Sequence, residues 1–251
     1  MVKVKEQIFK AERDVKYIFE RANSSNKSLI IVFSAFSPIG VGPKYSYIKT
    51  LNEIDCNKLF ILDDFGCRAS YYLCENKDYG IERAVIGLIR YFIKEMNIKQ
   101  VIACGSSKGG YAALYYGVKY GFNHIIVGSP QTLLGDYLLR SSQSTKDVAK
   151  FIAGGISVPD KKYLDEIIYD VIENSNYSPD VYIHVGKGEY HYNVHVKPLL
   201  RVFKEKNISC KLDLGNYSKH SDLIHFFPEF LRGKVHSCLE YYKVKSLLPY
   251  F

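Results

Sequence analysis

The sequence has no apolar run approaching the roughly 18 residues that a membrane-spanning helix needs. Its opening, MVKVKEQIFKAERDVKYIFERA, is charged throughout and has no apolar h-region. Neither a transmembrane segment nor a secretory leader is therefore expected. The expected location is the cytoplasm, with peripheral membrane association left open. The six cysteines form no CxxC pair, which argues against a zinc ribbon or a thioredoxin-type site. Cys56, Cys67, Cys74, Cys104, Cys210 and Cys238 sit among apolar or loop residues. They read as buried free thiols in a reducing compartment. No metal and no cofactor are expected. Internal repeats and low-complexity tracts are missing, as is any RNA- or DNA-binding motif, so no nucleic-acid partner is expected.

What remains is an ordinary globular composition. The 251 residues are 47% hydrophobic and 24% charged, enough for one large α/β domain over 1–251. The net charge of +8 and the 22 tyrosines could favour anionic partners. The lysines are spread along the chain rather than gathered in a block, so solubility and a general electrostatic bias are the simpler meaning.

The pattern predicts an amphipathic helix over 4–22, with Val4, Ile8, Val15, Ile18 and Phe19 near one face. Near-continuous apolar runs follow at LIIVFSAF (29–36), LFILDDFG (59–66), QVIACG (100–105) and HIIVGSP (124–130), the signature of strands buried on both faces. Helical patterns cover 80–97 and 107–121. Residues 131–178 break the rhythm and read as an inserted helical cap. The alternation resumes with DVYIHVG (180–186), a helix over 194–207, CKLDLG (210–215) and a helical region from Ser221. Such alternation implies a mostly parallel sheet with helices on both faces. Its chemistry should collect just past the carboxyl ends of the strands.

At one such end stands ACGSSKGGYAAL (103–114), where Gly105-Ser106-Ser107-Lys108-Gly109 fits G-x-S-x-G between a strand and a helix. A nucleophile on that sharp turn needs small residues two before and two after it. Ser107 has Gly105 and Gly109 there, whereas Ser106 would have Cys104 and the large Lys108. Ser107 is therefore the candidate nucleophile. The backbone N–H of Lys108 is a candidate oxyanion donor, and its side chain need not take part. A phosphate cradle is the rival reading. A P-loop, however, needs its lysine after the last glycine and a Ser or Thr behind it, and the dinucleotide pattern G-x-G-x-x-G is absent.

A serine hydroxyl needs a histidine base and a carboxylate behind it, in the chain order Ser, acid, His. His220 lies in GNYSKHSD, directly after the last strand. His124 and His184 lie in strands, His225 reads as a satisfied helix histidine and His236 as surface. The loop GKGEYHY after 180–186 has one carboxylate, Glu189, with Asp136 as runner-up. The second oxyanion donor is expected from SAFSPIG, at Ala35 or Phe36, although an HGGG motif is absent. Arg68 and Tyr71 are candidate substrate-binding residues; Arg68 could equally close its own loop by pairing with an aspartate. His191 could contact substrate or pack beneath the cap.

GSSKGGYAALYYG, GKGEYHY and YSKHSD followed by FFPEFL together resemble the α/β-hydrolase superfamily from about residue 28 onward. More narrowly, GSSKGG…ALYYG resembles bacterial proteins of capsule and surface-glycan biosynthesis, among them accessory Sec proteins thought to O-acetylate adhesin glycans. The resemblance implies a Ser107–His220–Glu189 triad and acyl-enzyme chemistry. A small-molecule acyl ester or acyl donor would be the substrate and a glycan the acceptor. Two other readings stand beside it. One is an inactive hydrolase-like subunit of a glycan-assembly or secretion complex; the other is an anion-binding α/β protein.

Overall fold

The computed structural model describes residues 5–247. Among these, eight strands form one sheet: β1 Gln7–Phe9, β2 Val15–Glu20, β3 Ser28–Phe33, β4 Asn57–Ile61, β5 Gln100–Ser106, β6 His124–Gly128, β7 Asp180–Gly186 and β8 Cys210–Gly215. Their order across the sheet is β1-β2-β4-β3-β5-β6-β7-β8. β1, β2 and β4 pair antiparallel, and every pairing from β4 through β3 to β8 is parallel.

The central strands are apolar because both faces are covered. In β3, Leu29, Ile31 and Phe33 point into one core layer and Ile30 and Val32 into the other. The first layer is filled by α2 Gly80–Glu95, α3 Lys108–Tyr120, α6 Val158–Asn174 and α7 Lys197–Glu205. The second is filled by the short α1 Ile48–Leu51 and the long α8 Leu223–Leu247. No helix among the described residues is long and apolar enough to cross a membrane.

The N-terminal helix expected over 4–22 is not there. Val4 lies outside the described residues, and the rest forms the β1–β2 hairpin. The period that decides is two, not 3.6. Val15 and Tyr17 enter the first layer, where Tyr17 and Phe19 meet Phe92 with ring centroids 5.5 and 4.1 Å apart. Ile18 enters the second layer, while Ile8 is exposed. A run of β-branched and aromatic residues on an open sheet edge is better buried as a strand.

Residues 131–178 hold α4 Leu134–Arg140, α5 Gln143–Ala153 and α6. Two capping boxes start the longer helices: Ser142 with Thr145, and Ser157 with Asp160. The apolar stripe Leu164, Ile167, Ile168 and Ile172 of α6 is buried, and α6 packs on α3.

Candidate active site

The strand β5 ends at Ser106 and α3 begins at Lys108, so one residue makes the whole turn. That residue, Ser107, has φ 53° and ψ −116°, a strained conformation for a side chain with a Cβ. Its N–H donates to the Gly128 carbonyl oxygen at 2.8 Å, tying the turn to β6. The flanking glycines let the backbones close in. A Cβ on Gly109 would lie closer than 3.0 Å to the Phe33 carbonyl oxygen, and one on Gly105 equally close to that of Gly109. Ser106 points elsewhere, its Oγ accepting from the Tyr47 hydroxyl.

His220 opens a single 3₁₀ turn, His220–Asp222, between β8 and α8. Its Nε2 is 3.1 Å from Ser107 Oγ, and its Nδ1 is hydrogen-bonded to Glu189 Oε1. The other carboxylate oxygen, Oε2, accepts from Ser129 Oγ at 2.8 Å and from the Gly186 N–H at 3.1 Å. Burial pushes the Glu189 carboxyl up, but His220, Ser129 and Gly186 together hold it below the usual glutamate value. It is therefore ionised and fixed on every lone pair that matters for aiming the imidazole.

Asp136, the runner-up, is not behind His220. It lies on α4 with Arg140 at 2.9 Å and the Tyr190 hydroxyl at 3.2 Å. His124 begins β6, at the opposite end of the sheet from the turn, and His184 bonds Asp213 within the sheet. His225 and His236 are exposed on α8.

His191 stacks on His220, with centroids 4.1 Å apart and planes 15° from parallel. Neither of its ring nitrogens has a hydrogen-bond partner, and the ring is 6% exposed. Behind it sits the fully buried His195, whose Nδ1 accepts from the Leu133 N–H at 3.1 Å. Burial, reinforced by neighbouring histidines, brings His191 down to about 3; burial brings His195 down to about 4.

Both rings are thus neutral in the folded protein and would protonate near 6.5 in the unfolded chain. Below that pH the unfolded state binds more protons, so stability falls as pH drops from about 6.5 toward the folded values, by up to about 1.4 kcal/mol per pH unit per ring. The expected result is a Tm that declines steeply from pH 6.5 to 4.5. His195→Asn, which keeps an acceptor for Leu133, should flatten that slope by about one proton. An unchanged slope in the variant would assign the acid sensitivity elsewhere.

The oxyanion candidates separate. The Lys108 N–H is the first of the α3 donors that the helix itself cannot satisfy. The Ala35 N–H of the expected pair donates to Ser46 Oγ at 3.1 Å. The Lys108 side chain has a role of its own. It is fully buried, with Nζ 2.8 Å from Asp63 Oδ2 and 4.7 Å from the Tyr72 ring centre. Asp63 also accepts from the N–H and hydroxyl of Ser70. Burial lowers the Lys108 pKa, and Asp63 opposes that fall. The pair clamps the loop after β4 against the turn.

Among the described residues, Arg68 makes no ion pair with an aspartate. It bonds Ser144 Oγ on α5 at 3.0 Å and the Ser37 carbonyl oxygen at 3.2 Å, and it stacks on Phe36. It lines a cavity of about 370 Å³ with Ala35, Phe36, Asp63, Lys108 and Ser144. Tyr71, by contrast, is wholly buried and is not among the residues that line that cavity. Its hydroxyl donates to Gln131 Oε1 at 2.6 Å, and Gln131 Nε2 donates to Ser107 Oγ at 2.7 Å. Sequence reasoning missed Gln131 and Ser129. Both stand just past the carboxyl end of β6, in GSPQ, where the strand-end rule points.

Four of the six cysteines are buried, Cys210 is half-buried and Cys67 is exposed; all six are free. Glu189, His191 and His220 bring three donor atoms within 4.8 Å, a set able to hold a metal ion. Such an ion would have to replace the His220–Glu189 hydrogen bond.

No family model matches the chain, and no curated protein sequence does. Solved structures do. The capsule O-acetyltransferase of Neisseria meningitidis serogroup A is 25% identical over 94% of this chain and 96% of its own, with a TM-score of 0.78. A form of that enzyme in complex with CoA gives 0.77. A chain of the Gap123 glycosylation-associated complex from Streptococcus agalactiae is 17% identical over 94% of this chain and 47% of its own, with a TM-score of 0.75. The fluorophosphonate-binding serine hydrolase FphF of Staphylococcus aureus is 12% identical over 94% and 97%, with a TM-score of 0.66. The fold is that of the α/β-hydrolases.

Proposed function

We propose that this chain is a serine acyltransferase that moves a short acyl group from an activated donor to a hydroxyl of a bacterial surface glycan. The observation that carries the reading is the hydrogen-bonded line Ser107–His220–Glu189 at the carboxyl end of a parallel sheet. Similarity to a capsule O-acetyltransferase over nearly the whole chain supports the glycan acceptor, and the CoA complex of that enzyme supports an acyl thioester as donor.

In this mechanism His220 Nε2 takes the Ser107 proton as Oγ attacks the donor carbonyl. The N–H groups of Lys108 and Phe36 hold the oxyanion. Collapse expels the thiol or alcohol of the donor with the proton from His220. The acceptor hydroxyl then repeats the sequence in reverse, with His220 again as base and then acid, and Oγ leaves. Water in place of the glycan makes the same site an esterase. Glu189 holds the imidazole in one tautomer and stabilises it when charged. Residues 131–178 act as the cap, and the cavity beside Arg68 receives part of a substrate. Six free cysteines agree with a cytoplasmic setting.

The test is covalent labelling. A fluorophosphonate probe is expected to modify Ser107, mapped by peptide mass, and Ser107→Ala is expected to remove the adduct. Labelling at another residue, or none in folded protein, rejects the triad and favours an inactive, complex-forming subunit. An inorganic phosphate titration that protects the 105–110 turn without any labelling would favour the anion-binding reading.

A further inference from the structure

We infer that Gln131 is a further catalytic residue, one that donates a hydrogen bond to the nucleophilic oxygen itself. The inference rests on the acyltransfer reading above. Its basis is a chain of two fully buried side chains ending on a reacting atom: the Tyr71 hydroxyl to Gln131 Oε1 at 2.6 Å, and Gln131 Nε2 to Ser107 Oγ at 2.7 Å.

The donor direction follows from the neighbours. His220 Nδ1 faces the ionised Glu189, so it carries the ring proton and leaves Nε2 as an acceptor. The Ser107 hydroxyl must then give its hydrogen to Nε2, 3.1 Å away. On its other side Oγ can only accept, which places the amide nitrogen of Gln131 there and its oxygen toward Tyr71. Tyr71 stays protonated, because burial holds its pKa well above the ordinary value, and so it donates to that oxygen.

An amide fixed in this way acts on charge. While Oγ is a neutral hydroxyl the hydrogen bond from Gln131 is ordinary. It strengthens as Oγ gains negative charge, first as its proton passes to His220 and again when the Oγ–C bond breaks and the electron pair returns to Oγ. An interaction stronger in the transition state than in the ground state raises the rate. The same contact keeps the serine hydroxyl from rotating away from His220. Gln131 thus serves the oxygen that attacks and leaves, while the Lys108 and Phe36 N–H groups serve the carbonyl oxygen of the substrate.

The experiment measures the rate of fluorophosphonate labelling at Ser107 as a function of pH in three proteins. Gln131→Met, of similar shape but without a donor, should label about 10- to 100-fold more slowly than wild type. Gln131→Glu places an acceptor where a donor is needed and draws the serine hydrogen away from His220. It should therefore be slower than Gln131→Met at pH 8. The ratio of the Gln131→Glu rate to the Gln131→Met rate should rise toward pH 6 as the new carboxyl gains a proton it can donate. A purely structural role would move Tm and leave that ratio flat. Gln131→Asn, which keeps the amide but withdraws it from Oγ, serves if Gln131→Met does not fold, and should show a similar loss. Labelling of Gln131→Met or Gln131→Asn at the wild-type rate, or a flat ratio, overturns the role. Absence of labelling in wild type overturns the acyltransfer reading and this role with it.

Discussion

Glu189→Ala is expected to lower turnover of p-nitrophenyl acetate by about 10³- to 10⁴-fold, the scale seen when a histidine base loses its orienting carboxylate. His220 is held from two ends, by Glu189 at Nδ1 and by Ser107 at Nε2, and its own side chain is 35% exposed. Without Glu189 the ring is free to turn, to take the wrong tautomer, or to hydrate. Glu189→Gln should fare little better. Its amide can accept from His220 through one atom only. The other atom becomes a donor aimed at two further donors, the Ser129 hydroxyl and the Gly186 N–H. Asp136→Ala should stay within about threefold of wild type, since its partners are Arg140 and Tyr190 rather than His220. The reverse pattern, with Asp136→Ala inactive and Glu189→Ala active, would reassign the acid. The pH dependence has a definite sign. Glu189 has a lowered pKa in the folded state, so its contribution to stability is complete above the ordinary glutamate value and disappears as pH falls through the lower, folded one.

Which parts of this site could be read from the sequence depends on whether they are local. The turn was legible because it is a steric problem within five residues: a strand, a serine and a helix can meet there only if the second residue on each side is small. The order of Ser107, Glu189 and His220 was legible because each follows a parallel strand, and such strands all end on the same side of the sheet. The N-terminal hairpin was not. Charged residues interrupt its alternation, and what decides it is Phe92 waiting on another element. Gln131 was not legible either. A glutamine after a strand carries no chemistry until Ser107 and Tyr71, 24 residues before it and 60 before it respectively, are brought to its two ends. The role of the Lys108 side chain is illegible for the same reason: its partner Asp63 is 45 residues away. Ala35 and Phe36 were equivalent on paper, and only the position of Ser46 distinguishes them.

Gly109→Ala is expected to be strongly damaging at the turn, and it tests the argument that selected Ser107 over Ser106. The added Cβ would press into the carbonyl oxygen of Phe33 and lie 3.1 Å from the carbonyl carbon of Ser34. Those atoms belong to the last residue of β3 and the one after it, and β3 is hydrogen-bonded to β4 on one side and β5 on the other. Neither backbone can yield without breaking a ladder, so the overpacking cost should reach about 3 kcal/mol. For a chain of this size that is a Tm loss of roughly 6–12 °C, or failure to accumulate folded protein. Gly110→Ala is the matched control one residue on. Its Cβ would come no closer than 3.3 Å to the Gly128 carbonyl oxygen, and it gains up to about 1 kcal/mol of helix propensity. It should melt within a few degrees of wild type and still label at Ser107. If Gly109→Ala instead melts with wild type, strand and helix are not pressed together at this turn. Small residues two positions away would then no longer discriminate between the serines, and Ser107 would rest on its hydrogen bond to His220 alone.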